Sequence, residues 1–494
     1  MHITLNPYYI LKQDDGCVLL LSKKTLADAE GVFEDSINSV IHPFHAKILS
    51  YVNGGDYEEI ITKISSELDI KKDRVKYFID SLIENPKRIG PVYKSAIIGF
   101  PRHTIIKSDY KRPKPYAPSD FDYDHVDVTL KRHATPSTLT LMIDNICATN
   151  CVYCYADKRR PVSSLIPLER IAEIVKEAKN IGVVNFDLIG GEVFKYKKWR
   201  DLVKIFVEND YDPNLSTKQP LQEDEVKCLA ELGINHLQIS LDSLIPAHLQ
   251  KILSVTEDYV GQIKETFKLL EKYQIPVVVH SIINRYNDNV EDLQSIYDFL
   301  SSLSNVRYWL PEVVGPSIYA KTEFKDFKPR IDEIPILSDK MDELVKKAGF
   351  KAINGIKKSI IGHDNEEQDF DTKMNSFMSR GLCSGNFSHM YILPTGDVTM
   401  CEELYWNKKF IMGNVKEQSL MDIWTGNKAL SLYHICQNDI PEGSHCCKCE
   451  FFNDCRDVRQ ICYREIIKAY GEDKWYYPDV NCPYAPSPKK DMKL

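Results

Sequence analysis

Cys147, Cys151 and Cys154 fall within eight residues in C-x3-C-x2-C spacing. Zinc sites and ordinary four-iron clusters take four protein ligands. A compact set of three leaves one metal position open, and an open position is where a metal does chemistry. The structural alternative is a zinc knuckle or three buried thiols. Of the fourteen cysteines, Cys17 and Cys228 stand alone and nine lie between Cys383 and Cys482. Clustered thiols with no export signal read as metal ligands rather than as a disulfide framework.

Other stretches carry chemistry at fixed offsets. Gly190-Gly191-Glu192 closes a strand-like run from Val183 to Ile189. Glycines admit a ligand close to the backbone, and Glu192 can accept hydrogen bonds from an ammonium group. In His236–Asp242, Leu237, Ile239 and Leu241 face one way while Gln238, Ser240 and Asp242 face the other. Near the C-terminus, Cys383, Gly396 and Cys401 give C-x12-G-x4-C. Cys446-x2-Cys449-x5-Cys455 follows, with Cys462 and Cys482 beyond it.

The first cysteine motif resembles that of the radical S-adenosylmethionine (SAM) enzymes. The resemblance implies three thiolates on three irons of a [4Fe–4S] cluster, with SAM chelated by the fourth iron. SAM is then cleaved to a radical that abstracts a hydrogen atom. Gly190, Gly191 and Glu192 resemble the family's GGE motif, which binds the SAM amino group; Val193 stands where the family usually has Pro. Ser240 and Asp242 match its Ser-x-Asp, with the serine near the SAM carboxylate. Relatives often pair that carboxylate with an Arg in the next helix. Lys251 is the nearest candidate there, Lys218 an alternative, and Asn284 a candidate for ribose or adenine. The later cysteines resemble the SPASM extension, which carries auxiliary iron–sulfur clusters. By that pattern Cys446, Cys449, Cys455 and Cys482 hold a distal cluster. Cys383, Cys401 and Cys462 hold a proximal one, Arg459 occupying the position where the family has its next cysteine. The proximal set either leaves an iron open or adds Cys436 or Cys447. An open iron can bind a substrate thiolate.

Stepping from these residues to the elements that carry them, residues 136–330 alternate strand and helix patterns, the mark of a parallel α/β sheet. Strands are expected near 138–144, 183–189, 213–217, 236–241, 277–283 and 306–311. Ile171, Ile174, Val175, Ala178 and Ile181 give the first helix an apolar stripe. Six units resemble the partial (β/α)6 barrel of the radical SAM fold, whose site lies at the C-terminal strand ends. Residues 331–378 read as a helical connection with an acidic tip at Asp364–Glu367. Residues 379–488 form the cysteine-rich SPASM region, with strands over Met390–Leu393 and Val398–Cys401.

Residues 1–95 open with two strand runs, Tyr8–Leu11 and Cys17–Leu21, about an Asp15-Gly16 turn. Three helical patterns follow. The first covers His42–Val52 and stops at Asn53-Gly54-Gly55, the second is capped by Asp56, and the third ends at Asn85-Pro86. This order suggests a winged helix. Twelve Lys/Arg against fourteen Asp/Glu make the segment net −2, the wrong sign for DNA. It resembles instead the RiPP recognition element, which captures the leader of a ribosomally made precursor peptide on a sheet edge and against the third helix. Residues 96–135, rich in Pro, Asp and Tyr, read as a linker, with a strand near Ile105-Ile106.

With 43% apolar and 27% charged residues and net charge −8, the chain is expected to be a globular, cytoplasmic protein. No general case arises for nucleic acid or a membrane surface, nor does any apolar run reach about 18 residues. The resemblances imply an oxidoreductase that modifies a ribosomal peptide. Its cofactors are SAM, a SAM-binding [4Fe–4S] cluster and one or two auxiliary clusters, and its electron donor is a flavodoxin or ferredoxin. A thioether from cysteine sulfur to carbon is the favoured product. A carbon–carbon or carbon–oxygen cross-link, sulfatase-maturase-like oxidation, and a metal-stabilised regulator that binds peptide or DNA are the alternatives.

Overall fold

In a computed structural model the described residues are all but 24–38, 91, 94–95, 98, 157–161, 163, 321, 358–368, 406, 457–458 and 490–494. The acidic tip at Asp364–Glu367 lies outside them. The chain divides into two compact units, Met1–Ser137 with Ile181–Asn185, and Thr138–Asn180 with Phe186–Leu494.

In the first unit, β2 (Tyr9–Asp14) and β3 (Cys17–Ser22) form the expected hairpin. Gly16 turns it at φ +70°, backbone that favours glycine. Strand β4 (Ser39–Ile41) pairs with β3. The first helix is shorter than the apolar pattern indicated, Pro43–Ser50, because Pro43 suits the first helical position and the His42 ring caps the Phe44 N–H at 3.0 Å. The glycine stop continues as a strand. Strand β5 (Asn53–Asp56) pairs with β1 (His2–Leu5), which the sequence pattern did not reveal. Asp56 caps the helix Tyr57–Glu67 as expected, and the third helix spans Lys72–Leu82.

Residues 96–135 are more than a linker. After a small hairpin of β6 (Val92–Tyr93) and β7 (Ala96–Ile97), β8 (Ile105–Lys107) joins β1 on the side opposite β5. Phe100, Ile105 and Phe121 are buried with Ile61, Ile64, Ile79 and Leu82 of the helices. Tyr116 accepts the Leu11 N–H at 3.0 Å. These aromatic and branched side chains hold the proline-rich segment by burial, not by local periodicity.

In the second unit, β9 (Thr138–Met142), β10 (Asn185–Ile189), β11 (Ser216–Thr217), β12 (Leu237–Ser240), β13 (Val277–Ile283) and β14 (Val306–Val313) supply the six expected strands, with helices between them. Strands β11–β14 are parallel neighbours, and a short β15 (Lys351–Ala352) extends them. Strand β11 is only two residues, Ser216 and Thr217 pairing with Gln238 and Ile239, and the expected start at Pro213 lies outside it, where proline offers no N–H. Strand β14 runs through Pro311 because β15 pairs only with Tyr308 and Trp309, leaving that side of Pro311 without a partner in β15.

The SPASM strands β16 (His389–Ile392), β17 (Asp397–Thr399) and β18 (Ile411–Asn414) do not stand apart. Strand β16 pairs in parallel with β9, His389 beside Thr138 and Ile392 beside Leu141. The sheet order is β10-β9-β16-β17-β18, so the strand that precedes the first cysteine motif lies inside a sheet shared with the C-terminal region, paired on both edges.

Candidate functional site

The three clustered cysteines lie on the loop leaving β9, at the C-terminal end of the strand. The loop is pinned along its length. Asp144 Oδ1 accepts the Ile146 N–H at 2.9 Å. Asn150 and Val152 N–H donate to Leu253 and Ile252 carbonyls, each at 2.9 Å. Those carbonyls close the helix Pro246–Leu253, where intrahelical donors have run out. Thr149 Oγ1 stands 3.8 Å from Cys147 Sγ and 3.3 Å from Cys151 Sγ. The threonine was not foreseen; its hydroxyl between two thiols is the signal.

Cys147, Cys151 and Cys154 line a cavity of about 760 Å³ together with Gly190, Gly191, Glu192, Ser240 and Lys218. Gly191 N–H donates to Asp144 O at 2.8 Å, and Cys147 Sγ lies 3.3 Å from Gly191 O. A Cβ on Gly191 would sit 2.0 Å from the Ile146 carbonyl oxygen, so only glycine allows the two loops to meet. Glu192 is 3% exposed. Its carboxylate accepts from Thr217 Oγ1 at 2.9 Å and from the Phe194 and Lys218 N–H groups, each at 3.3 Å. Burial pushes its pKa up to about 7, against these hydrogen bonds.

Asp242 is fully buried and lies behind the cavity wall. It accepts from Tyr153 OH, from Lys218 Nζ at 3.2 Å and from the Ile282 N–H at 2.9 Å. Its role in this geometry is to hold Lys218 and Tyr153. Lys218 Nζ also lies 2.9 Å from Tyr153 OH. Burial opposes the charge of Lys218, but Asp242 and the Cys151 thiolate outweigh it and hold its pKa above the usual lysine value.

Like Asp242, two further expected cofactor residues do not line the cavity. Lys251 is exposed on a helix that buries Leu249, Ile252 and Leu253, and helical spacing turns it outward. Asn284 is buried, but its amide donates to Ile282 O at 3.2 Å and its carbonyl accepts the Tyr286 N–H at 3.0 Å. The turn after β13 uses both ends of that side chain. Of the two lysines considered, Lys218 lines the cavity and Lys251 does not.

The opposite wall adds residues that sequence reasoning missed. His280 Nε2 and Glu312 Oε2 are 2.9 Å apart. His280 lies beside Ser240 in the β12–β13 register, so it shares the row already assigned to the cavity. Glu403, Arg464, Glu465 and Lys468 close the cavity from the SPASM region. They form one ion-pair network, with Arg464–Glu403 at 2.7 Å, Arg464–Glu465 at 2.8 Å, Lys468–Glu403 at 3.0 Å and Lys468–Glu465 at 3.1 Å.

Cys446, Cys449, Cys455 and Cys482 line one small pocket with Phe452 and Arg456. Cys383, Cys401 and Cys462 all feel the charge of Arg464. Burial raises the pKa of each, to about 12 for Cys401 and about 11 for Cys462. Cys436 is exposed, its thiol directed at His434 O, and the Cys447 thiol is directed at Glu442 O. Neither lines the two cavities described. The sulfur-only donor sets suit iron–sulfur clusters, whose thiolates bind separate irons. Among the described residues no three His, Cys, Asp or Glu side chains are grouped to hold a single metal ion.

Residues 142–300 match the radical SAM superfamily, and residues 383–450 match the SPASM iron–sulfur cluster-binding domain. The chain carries a radical SAM domain and a SPASM domain. Its cofactors are [4Fe–4S] clusters and SAM. The enzyme is 25% identical over 310 residues to the sporulation killing factor maturation protein SkfB of Bacillus subtilis, covering 62% of this chain and 69% of SkfB. It is 21% identical over 307 residues to the PqqA peptide cyclase of Granulibacter bethesdensis, covering 60% and 76%. Streptococcus suis SuiB shares the fold with a TM-score of 0.62 at 14% identity, over 97% of this chain and 99% of SuiB. SuiB has also been solved bound to the precursor peptide SuiA. Among the described residues of the radical SAM–SPASM enzyme, no helix is long and apolar enough to cross a membrane.

Proposed function

We propose that this radical SAM–SPASM enzyme matures a ribosomally made peptide, capturing the leader on the N-terminal unit and cross-linking the core peptide in the 760 Å³ cavity. The carrying observation is that one cavity has the Cys147–Cys154 loop on one wall and the SPASM ion-pair network on another. Similarity to SkfB, named as a maturation protein, supports the substrate class.

Cys147, Cys151 and Cys154 would hold the SAM-binding cluster, which with SAM supplies a hydrogen-abstracting radical. Glu192, at the end of β10, would accept the SAM ammonium. Lys218, fixed by Asp242 and Tyr153, would pair the SAM carboxylate as a point charge, with Ser240 beside it. Cys446, Cys449, Cys455 and Cys482 would hold the distal auxiliary cluster. Cys383, Cys401 and Cys462 would hold the proximal one, three thiolates leaving room for a substrate thiolate. That room favours the thioether. A flavodoxin or ferredoxin would supply electrons. The reading is tested by incubating the reconstituted enzyme with SAM, a reductant and the precursor encoded beside it. The expected product has lost two hydrogen atoms and a thiol that alkylating agents can reach. Loss of hydrogen with every thiol still alkylatable would favour a carbon–carbon or carbon–oxygen link, and an unmodified peptide would refute the reading.

Glu192 makes SAM binding depend on pH. An ammonium partner needs the carboxylate ionised, and with a pKa of about 7 the ionised fraction declines below neutrality. SAM affinity is expected to fall as pH drops through 7, approaching about tenfold per unit below it. Equilibrium dialysis across this range measures the slope. Glu192→Gln should flatten it, and an unchanged slope would remove Glu192 from the ammonium site.

In the first unit β4 is one of the two edge strands of the β2-β3-β4 sheet among the described residues. Tyr77 on the third helix is 80% exposed. Exposed aromatics are common anchors for a partner chain. Tyr77→Ala is expected to weaken precursor binding about 10- to 100-fold while leaving peptide-free SAM cleavage intact. Fluorescence anisotropy of a labelled leader measures it; unchanged affinity would move the leader site elsewhere.

A further inference from the structure

Two arginines address the sulfurs of the four-cysteine pocket. Arg456 Nη2 lies 3.8 Å from Cys446 Sγ, and Arg380 Nη2 lies 3.5 Å from Cys455 Sγ. Arg456 is only 7% exposed, so water screens its charge little. Its Nη1 donates to Tyr463 OH at 3.1 Å. Arg380 spends its remaining donors on carbonyls, Phe377 O at 2.9 Å and Gln460 O at 2.6 Å among them. It also stacks on Phe377, 4.1 Å from the ring centroid, while Arg456 lies 4.9 Å from that of Phe452. Both guanidiniums are therefore fixed in place by groups other than described carboxylates.

The three-cysteine set differs in the same respect. Its neighbouring cation, Arg464, is paired with Glu403 at 2.7 Å and Glu465 at 2.8 Å. Glu403 and Glu465 also hold Lys468, so two carboxylates offset two cations there and the network presents no net positive charge to the sulfurs, although each thiol still feels Arg464. The Cys383 and Cys462 thiols also feel the negative charges of Asp479 and Glu465 respectively. Asp479 lines the four-cysteine pocket as well and Cys449 feels Glu450, so the contrast lies in the two arginines, which have no carboxylate partner among the described residues.

Reduction adds one negative charge to an iron–sulfur cluster. Local net charge and N–H donors to sulfur set how favourable that is. We infer that Arg380 and Arg456 make the centre held by Cys446, Cys449, Cys455 and Cys482 the more easily reduced of the two auxiliary centres. This rests on the ligand sets proposed above. The two arginines act as tuning residues: they stabilise an added charge at the distal sulfurs and touch no substrate. The distal end of the chain is then where an electron released by peptide oxidation is held most stably.

The test is a potentiometric titration of the full-length reconstituted enzyme, without peptide or SAM, followed by electron paramagnetic resonance. Cys446→Ala identifies the distal signal by its loss, and Cys401→Ala the proximal one. In the wild type the distal midpoint should be the more positive. Arg456→Gln should make reduction of the distal centre about tenfold less favourable, a shift of roughly 59 mV for one electron, with the proximal midpoint unmoved. Arg456→Lys, which keeps the charge, should retain most of the wild-type value. Arg380→Gln should shift it in the same direction; because Arg380 also ties backbone carbonyls, Arg456→Gln decides the matter if iron is lost in the former. An unmoved distal midpoint in Arg456→Gln with a full iron complement overturns the inference, as does a wild-type distal midpoint below the proximal one. Iron content unaffected by Cys446→Ala would instead overturn the ligand assignment and the inference with it.

Discussion

Cys151→Ala is expected to bring SAM cleavage to background, a loss well beyond the roughly 10- to 100-fold typical of changes outside a metal's immediate ligands. Among the described residues no cysteine other than Cys147, Cys151 and Cys154 lies on this loop. Cys151 is flanked by Thr149, whose hydroxyl is 3.3 Å from its sulfur. Burial pushes the Cys151 thiol pKa up, and the Lys218 ammonium only partly offsets that. Cys17 is buried in the first unit and Cys228 lies on the helix Glu223–Glu231, so neither belongs to this loop. The auxiliary cysteines belong to separate groups, so they should keep their iron. The check is iron content together with anaerobic assay of methionine and 5′-deoxyadenosine. Iron reduced by about one cluster's worth with no cleavage is the expected pair of results. Retained cleavage would place the SAM-binding cluster elsewhere.

Gly191→Ala is expected to be nearly as damaging, although it removes no ligand. The added Cβ would lie 2.0 Å from Ile146 O and 2.8 Å from Asn145 C. These are backbone atoms of the cysteine loop, so no side-chain rotation relieves the clash. Either the β10 turn or the loop must move, and with it the Gly191 N–H bond to Asp144 O and the 3.3 Å approach of Cys147 Sγ to Gly191 O. Misplacement of about 1 Å in a reacting geometry costs on the order of 100-fold, so SAM cleavage should fall at least that far. Gly190→Ala should be milder, since its nearest atom, Asp144 O, stands at 3.1 Å. Equal activity of the two variants would show that the contact does not position the loop.

Much of the second unit was legible because its signals are local. The alternation in His236–Asp242 became β12, and the cysteine loop and Gly190-Gly191-Glu192 follow adjacent strands. What stayed hidden depends on partners far along the chain. No local pattern announces that β16 pairs with β9, some 250 residues away. The choice between Lys251 and Lys218 turned on register. Thr217 lies beside Ile239, so Lys218 follows one step on, next to Ser240. His280 escaped notice because its row is completed only by Glu312 on the next strand. In the first unit the proline-rich stretch was read as a linker since its structure comes from Phe100, Ile105 and Phe121 entering a core, and single buried residues have no period.

The account depends on an iron of the Cys147–Cys151–Cys154 centre that the protein leaves for SAM. Electron paramagnetic resonance of the reduced enzyme, with the auxiliary clusters removed by Cys401→Ala and Cys446→Ala, tests this most directly. Adding SAM should change the spectrum of the remaining cluster, and methyl-labelled SAM should show nuclear coupling to it. A spectrum identical with and without SAM, from a centre with a full iron complement, would contradict the account.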